Sequence, residues 1–259
     1  MSKAKKITLI AAGVSVIAGM IMMTIALLGA GFNLSTDSLK DSEVTISEAF
    51  DNISVDLESA KVMLKPSDDK QCRIQFHEWE SQEFAAEVKD KTLQIRYENE
   101  RTWLDRLLIR FGKPSVTLFL PEKTYQSLNI RTVTGSIQLS EALSFKNLSV
   151  KSVTSDVTCD CAVSETAEIK AVTGSICLNN VKAKTIKVDV TTGSISLDRC
   201  DAETISARTV TGDISGTLLT GKTFRATTTT GRINVPDSTS GGSCELTTTT
   251  GSIKIELAE

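Results

Sequence analysis

Apolar and polar positions alternate along most of this chain from residue 44 onward, and in the C-terminal half the alternation recurs with a fixed period. Gly135, Gly174, Gly193, Gly212, Gly231 and Gly251 serve as anchors, and Ser155 fills the slot between the first two. The spacings are then 20, 19, 19, 19, 19 and 20 residues. Two positions after each anchor stand Ile137, Val157, Ile176, Ile195, Ile214, Ile233 and Ile253. Five positions before stand Ile130, Val150, Ile169, Val188, Ala207, Ala226 and Leu246. Four before, the early copies are charged: Arg131, Lys151, Lys170, Asp189 and Arg208. A Thr directly precedes every anchor, from Thr134 to Thr250.

Period-two alternation in runs rich in β-branched residues reads as half-buried strands. The anchor glycine between two such runs marks a turn, where positive φ costs least without a Cβ. Nineteen residues is too short for the helical repeats of about 33–47, and neither a Ca²⁺-binding nonapeptide nor a leucine-rich consensus is present. The prediction is an all-β fold, a single-stranded β-solenoid of about 19–20 residues per coil, in which like residues stack on like. With strands about 4.7–4.9 Å apart, seven coils make a rod of roughly 30–35 Å. In this reading the Thr before each anchor and the Ile two after it are both members of the stacked ladders, and Ser136 and its varied equivalents point outward.

Upstream the pattern changes. Residues 1–6 carry Lys3, Lys5 and Lys6, and no charge follows from Ile7 to Phe32. An apolar run longer than the ~20 residues that span a bilayer predicts a transmembrane helix over 7–31. The preceding lysines put the N-terminus in the cytoplasm and the rest outside, a single-pass arrangement at the cell membrane. A cleaved signal peptide is the competing reading, but its apolar region would be about 7–15 residues. Residues 32–43 read as a polar linker. Residues 44–128 read as a less regular β region capping one end of the solenoid. Within it Ala60 takes the anchor slot, Val62 the Ile137 slot, and Lys89-Asp90-Lys91 a hairpin turn. Residues 103–111 form a short amphipathic helix, with Trp103, Leu104, Leu107, Leu108 and Phe111 on one face. It either packs on the first coil or lies on a membrane with Arg101, Arg106 and Arg110 toward lipid phosphates. The repeats occupy 129–259. The last coil ends uncapped, with Lys254, Glu256 and Glu259 guarding its edge against strand addition.

Charge narrows the function. Beyond residue 31 lie all 32 acidic residues but 26 of the 29 basic ones, a formal 26 − 32 = −6. That argues against nucleic acid, which wants a basic face. His77 is the only histidine, without a nucleophile or orienter motif, and His77 with Glu78 and Glu80 is a weak cation candidate. Asp156 and Asp213 fall three coils apart, roughly 14 Å, beyond the spacing of about 5–9.5 Å that glycosidase carboxylates use. Among the six cysteines, Cys159 falls on the ladder of Leu139, Leu178 and Leu197, and Cys244 on that of Ile205 and Phe224. Cys161 and Cys200 lie two coils apart, too far for a disulfide; Cys72 and Cys177 complete the set. The outward threonines Thr227, Thr229, Thr247 and Thr249 suggest a small flat array, which β-propensity also explains. No catalytic, metal or cofactor site emerges from these residues.

The runs Phe50–Val55 (FDNISV), Val62–Ser67 (VMLKPS), Thr92–Ile95 (TLQI) and Val116–Tyr125 (VTLFLPEKTY), followed by the TGSI coils, resemble the DUF4097 family of bacterial β-strand-repeat "putative adhesins". The version with one N-terminal membrane helix is similar to those of Firmicutes. The resemblance implies a β-solenoid on the outer side of the membrane and brings no catalytic residues. The expected function is a membrane-anchored, non-enzymatic adhesion or surface-binding module, with a cell-wall, glycan or envelope protein as partner. Two alternatives stand beside it: an accessory protein of envelope-stress sensing that contacts a membrane sensor, and a structural protein that self-associates through its uncapped C-terminal coil. Specificity is expected in the varied outward positions after the anchors or in the irregular 44–121 part.

Overall fold

The structure, a computed structural model, describes residues 13–25, 38–80, 82–97, 112–238 and 240–258. The chain divides into two units, Met1–Asp37 with Thr102–Arg110, and Ser38–Arg101 with Phe111–Glu259. In the first, residues 13–25 form a helix, α1, on which Val14, Ile17, Met20 and Ile21 are exposed. Among the described residues no helix is long and apolar enough to cross a membrane. The rest of the 7–31 run lies outside the described residues, as does the amphipathic stretch 103–111.

The second unit is all β. Its strands are β1 (Leu39–Ile46), β2 (Asn52–Ser59), β3 (Lys61–Pro66), β4 (Cys72–Trp79), β5 (Phe84–Lys89), β6 (Thr92–Tyr97), β7 (Ser115–Leu120), β8 (Thr124–Leu139) and β9 (Ser144–Cys159). They continue as β10 (Ala162–Thr173), β11 (Ile176–Asn179), β12 (Lys182–Thr192), β13 (Ile195–Thr211), β14 (Ile214–Leu218), β15 (Lys222–Thr230), β16 (Ile233–Asn234), β17 (Gly242–Thr250) and β18 (Ile253–Leu257). Each coil contributes one strand segment to each of two walls, with the anchor at the corner between them. On the first wall Ile130 pairs with Val150, Val150 with Ile169, Ile169 with Val188 and Val188 with Ala207, all parallel. On the second, Ile137 pairs with Val157, Val157 with Ile176, Ile176 with Ile195 and Ile195 with Ile214. Both rows are buried and form the core between the walls. The predicted ladders are therefore present, residue on residue.

The corner explains the period. Gly193 has φ 145°, and a Cβ built on it would meet the carbonyl oxygen of Gly174 at 2.0 Å. Gly212 stands in the same relation to the carbonyl of Gly193, at 2.2 Å. Any side chain would thus be strained twice, by its own dihedral and by the backbone below. Where φ is not positive, at Ser155 and Ala60, a side chain is accommodated. Inward threonines three before the anchor reinforce the corner: Thr209 Oγ1 donates to the Gly193 carbonyl at 2.9 Å.

Four expectations change. The coils begin earlier than residue 129: β2 pairs in parallel with β8 from Ile53↔Leu128 to Ser59↔Thr134, and β3 joins through Val62↔Ile137. The linker stops short of residue 43, because β1 starts at Leu39 and pairs antiparallel with β4. The Thr before each anchor is exposed, because the chain has already begun to turn there. Most consequential, the last coil of the sequence is not the last coil of the stack. β17 lies between β13 and β15, through Ile205↔Cys244 and Phe224↔Cys244. β18 likewise lies between β14 and β16. The loop after β16 carries the chain back into a slot one coil wide. Side chains keep the same order: Thr248 Oγ1 donates to the Gly212 carbonyl and Thr228 Oγ1 to that of Gly251. The open end is therefore β15 with β16, where Ile233 is 45 % exposed. Lys254 and Glu256 form an ion pair of 2.8 Å on β18, Lys254 opposite Asn234 and Glu256 beyond the end of the two-residue β16.

At the opposite end, β6 pairs parallel with β2 and antiparallel with β5, and β7 pairs parallel with β3 and antiparallel with β4. Asp90 and Lys91, both at positive φ, make the two-residue β5–β6 hairpin turn. Phe76, Phe84 and Tyr97 stack here with centroids 5.4 and 4.8 Å apart.

Two substitutions separate the corner argument from simple burial. Gly193→Ala should cost about 2 kcal/mol or more, since it adds the strain of an extended positive φ that only glycine adopts freely and a backbone collision. Ser155→Ala should cost little or stabilise, because the Ser155 hydroxyl is buried without a partner. Equal effects in urea unfolding would contradict the corner geometry.

Candidate binding surface

The residues that chemistry singled out are held apart or used structurally. His77, half-buried on β4, has its Nδ1 2.6 Å from the exposed Asp41 Oδ1. Glu78, its neighbour, is buried and accepts from Ser42 Oγ at 2.8 Å and from the Phe84 amide at 2.6 Å. Glu80 is exposed. The three do not converge, and among the described residues no group of three His, Cys, Asp or Glu side chains is placed to hold a metal ion. Asp156 and Asp213 serve the corners: Asp156 Oδ1 accepts from the Ser175 amide at 2.8 Å and Asp213 Oδ1 from the Ser252 amide at 2.7 Å. The varied slot after the anchor, expected to carry specificity, thus includes carboxylates that cap the next coil.

All six cysteines are free thiols, and all but Cys177 are buried. Cys159 takes its expected place on the ladder, paired with Leu139 and Leu178. Its sulfur lies 3.4 Å from that of Cys161, a contact the two-residue spacing did not suggest. That bond, and burial, hold the Cys159 thiol well above its ordinary pKa. Burial is the main cause that pushes Cys72, Cys200 and Cys244 up to about 12.

What the sequence left unassigned is a surface. On the outside of the first wall, just before the corner, the exposed threonines form one file, Thr134, Thr154, Thr173, Thr192, Thr211, Thr250 and Thr230, each registered on the next. Beside it runs a second file, Val133, Val153, Val172, Thr191, Val210, Thr249 and Thr229, also exposed. Among the described residues of the β unit, seven large apolar side chains are exposed: Val44, Val133, Val153, Val172, Val210, Ile233 and Leu257. Four of the seven stand in this one file, so the exposed apolar area is concentrated rather than scattered. Next to it on the other side runs the charged file, with Arg131, Lys151 and Lys170 consecutive. An open hollow of about 270 Å³ lies among Glu58, Arg131, Val133, Lys151 and Val153. Of the anticipated array, Thr229 and Thr249 are the end of this longer ridge, and Thr227 and Thr247 are the end of the charged file, Thr247 standing opposite Arg208.

The missed signal was one of parity. Residues five before and two after the anchor are both inward, yet seven apart, so the alternation must break once between them. The structure puts the break before the Thr, which turns that Thr outward.

Residues 50–259 match the family described as Toastrack DUF4097. A crystal structure described as a "putative adhesin" from Bacteroides fragilis NCTC 9343 superposes with a TM-score of 0.50 at 16% identity, covering 85% of this chain and 97% of its own. One from Parabacteroides merdae ATCC 43184, described in the same words, gives 0.51 at 13% identity, with coverage of 86% and 97%. At these identities the likeness concerns the fold. No curated protein matches the chain.

The thiol environment has a direct test. At pH 8 the native protein should leave its five buried cysteines unmodified by iodoacetamide, and urea should expose all six. Because burial raises the folded-state pKa of Cys72, Cys200 and Cys244 from 9.0, their contribution to stability is intact below about 9 and falls as pH rises toward about 12. Rapid native labelling of more than one thiol would contradict the packing.

Proposed function

The chain belongs to the Toastrack DUF4097 family, and from that premise we propose that it is a non-enzymatic surface-binding module. It is held at the outer face of the cell membrane by its apolar run 7–31, with Lys3, Lys5 and Lys6 on the cytoplasmic side. The observation that carries this reading is the Val/Thr ridge. It is exposed, continuous over seven coils, and set on a wall whose strands, except β15 at the open end, are paired on both sides. Such a surface engages a partner by contact area and register, and it places no nucleophile, base or metal ligand set against a substrate. The adhesin descriptions of two structures with the same fold agree with it. The anchor rests on the length of the uncharged run, 25 residues from Ile7 to Gly31, against the ~20 needed to span a bilayer.

The test compares full-length protein in detergent with variants, using isolated cell envelopes as the target. Val153→Asp with Val172→Asp should reduce retention at least tenfold, while Ser196→Asp, on the outside of the other wall, should leave it unchanged. Equal loss from both would remove the ridge as the contact surface. If no envelope fraction retains the wild-type protein while it co-purifies with another membrane protein, the adhesion reading fails in favour of an accessory role in sensing.

A further inference from the structure

The charged file next to the ridge has a feature that folding does not explain. Arg131 pairs directly with Lys151 and Lys151 with Lys170, so three cations stand one strand spacing apart, about 4.7–4.9 Å. Like charges directly opposite on neighbouring strands are destabilising. Elsewhere the file alternates: Arg96 stands opposite Asp56, Asp56 opposite Arg131, Lys170 opposite Asp189 and Asp189 opposite Arg208. Glu168 takes up Lys170 at 2.7 Å. Arg131 faces Asp56 across the strands and shares a hollow with Glu58, and Lys170, with Lys187 and Lys151, holds the Glu168 carboxyl below its ordinary range, but neither Arg131 nor Lys151 is drawn into a close ion pair as Lys170 is. The exported part as a whole is negative, so this cluster is local rather than a reflection of composition.

Resting on the surface-binding reading above, we propose that this face binds a linear polyuronate, a glycan with one carboxylate on each sugar, laid along the stack axis. The match is threefold. Cations occupy three successive coils, and a sugar ring in an extended chain spans roughly one coil. The Val133–Val153–Val172 file offers methyl surface to the C–H faces of the rings. The adjoining Thr134–Thr154–Thr173 file offers hydroxyls that both donate and accept, as glycan hydroxyls require. Arg131 supplies a fork suited to a carboxylate. A nucleic acid would want aromatic side chains for its bases, and neither file nor the charged row contains one. An interfacial lipid contact would want Trp, Phe or Leu on the apolar side, where here there is only Val and Thr.

The experiment uses full-length protein in detergent and polygalacturonate as the probe, with dextran as the neutral control and anionic phospholipid vesicles as a separate arm. Binding to polygalacturonate should weaken as salt is raised, and dextran should not bind. Arg131→Glu with Lys151→Glu should lower affinity at least tenfold at an unchanged melting midpoint, and Lys151→Arg should retain it. Arg232→Glu, at the open end of the stack, should have no effect. The inference is overturned if polygalacturonate does not bind, if its binding survives the double substitution, or if only the vesicles bind in a way that the double substitution abolishes. Binding to cell envelopes without binding to polygalacturonate sinks this inference alone; binding to neither sinks the surface-binding reading with it.

Discussion

The approach of one coil's corner to the carbonyl of the next sets the rest of this structure. A glycine anchor at φ near 145° leaves only about 2 Å between where a Cβ would be and the oxygen below. That contact fixes the register of both walls at once, since a slip by one residue would carry a β-carbon into backbone and turn every ladder inside out. The buried rows of Ile and Val then follow, because each coil by itself cannot cover its apolar face. The inward threonines that donate to corner carbonyls add a polar lock in the same place.

From that constraint comes a rigid outer wall, and on it files of side chains in parallel. The wall need not be designed for the files to be straight; the register makes them so. What varies from coil to coil is chemistry rather than position. Val and Thr persist along the ridge, whereas the charged row changes from three consecutive cations to alternating charge and finally to Thr247 and Thr227. A surface of this kind recognises a partner by its repeat and its charge.

Much of the fold was legible in the amino-acid pattern. The anchors, the inward Ile and Val ladders, the Val62↔Ile137 equivalence, the hairpin at Asp90–Lys91 and the places of Cys159 and Cys244 all follow from periodicity and turn chemistry. Three things were not. The outward Thr file depends on where the alternation breaks, and no single residue marks that place. The structural use of Asp156 and Asp213 depends on a backbone amide one coil away. The insertion of β17 and β18 between β13–β14 and β15–β16 is invisible to any repeat, because the last coil's sequence fits the inner slot and the outer one equally well. Gly242 hints at it afterwards: a Cβ there would meet the Glu203 carbonyl at 2.2 Å, an approach that only the inserted position creates.

That coil order is the claim most open to direct contradiction. Arg208 stands opposite Thr247, on the neighbouring strand, while Thr227 stands beyond Thr247, roughly 9.5 Å from Arg208 at two strand spacings. Cysteine pairs introduced at 208 with 247 and at 208 with 227 can be exposed to a mild oxidant in the folded protein. The account predicts a disulfide in the first pair and none in the second, since Cα atoms must lie within about 7 Å. Cross-linking of 208 with 227 but not with 247 would show that the coils stack in the order of the sequence and contradict the inserted end.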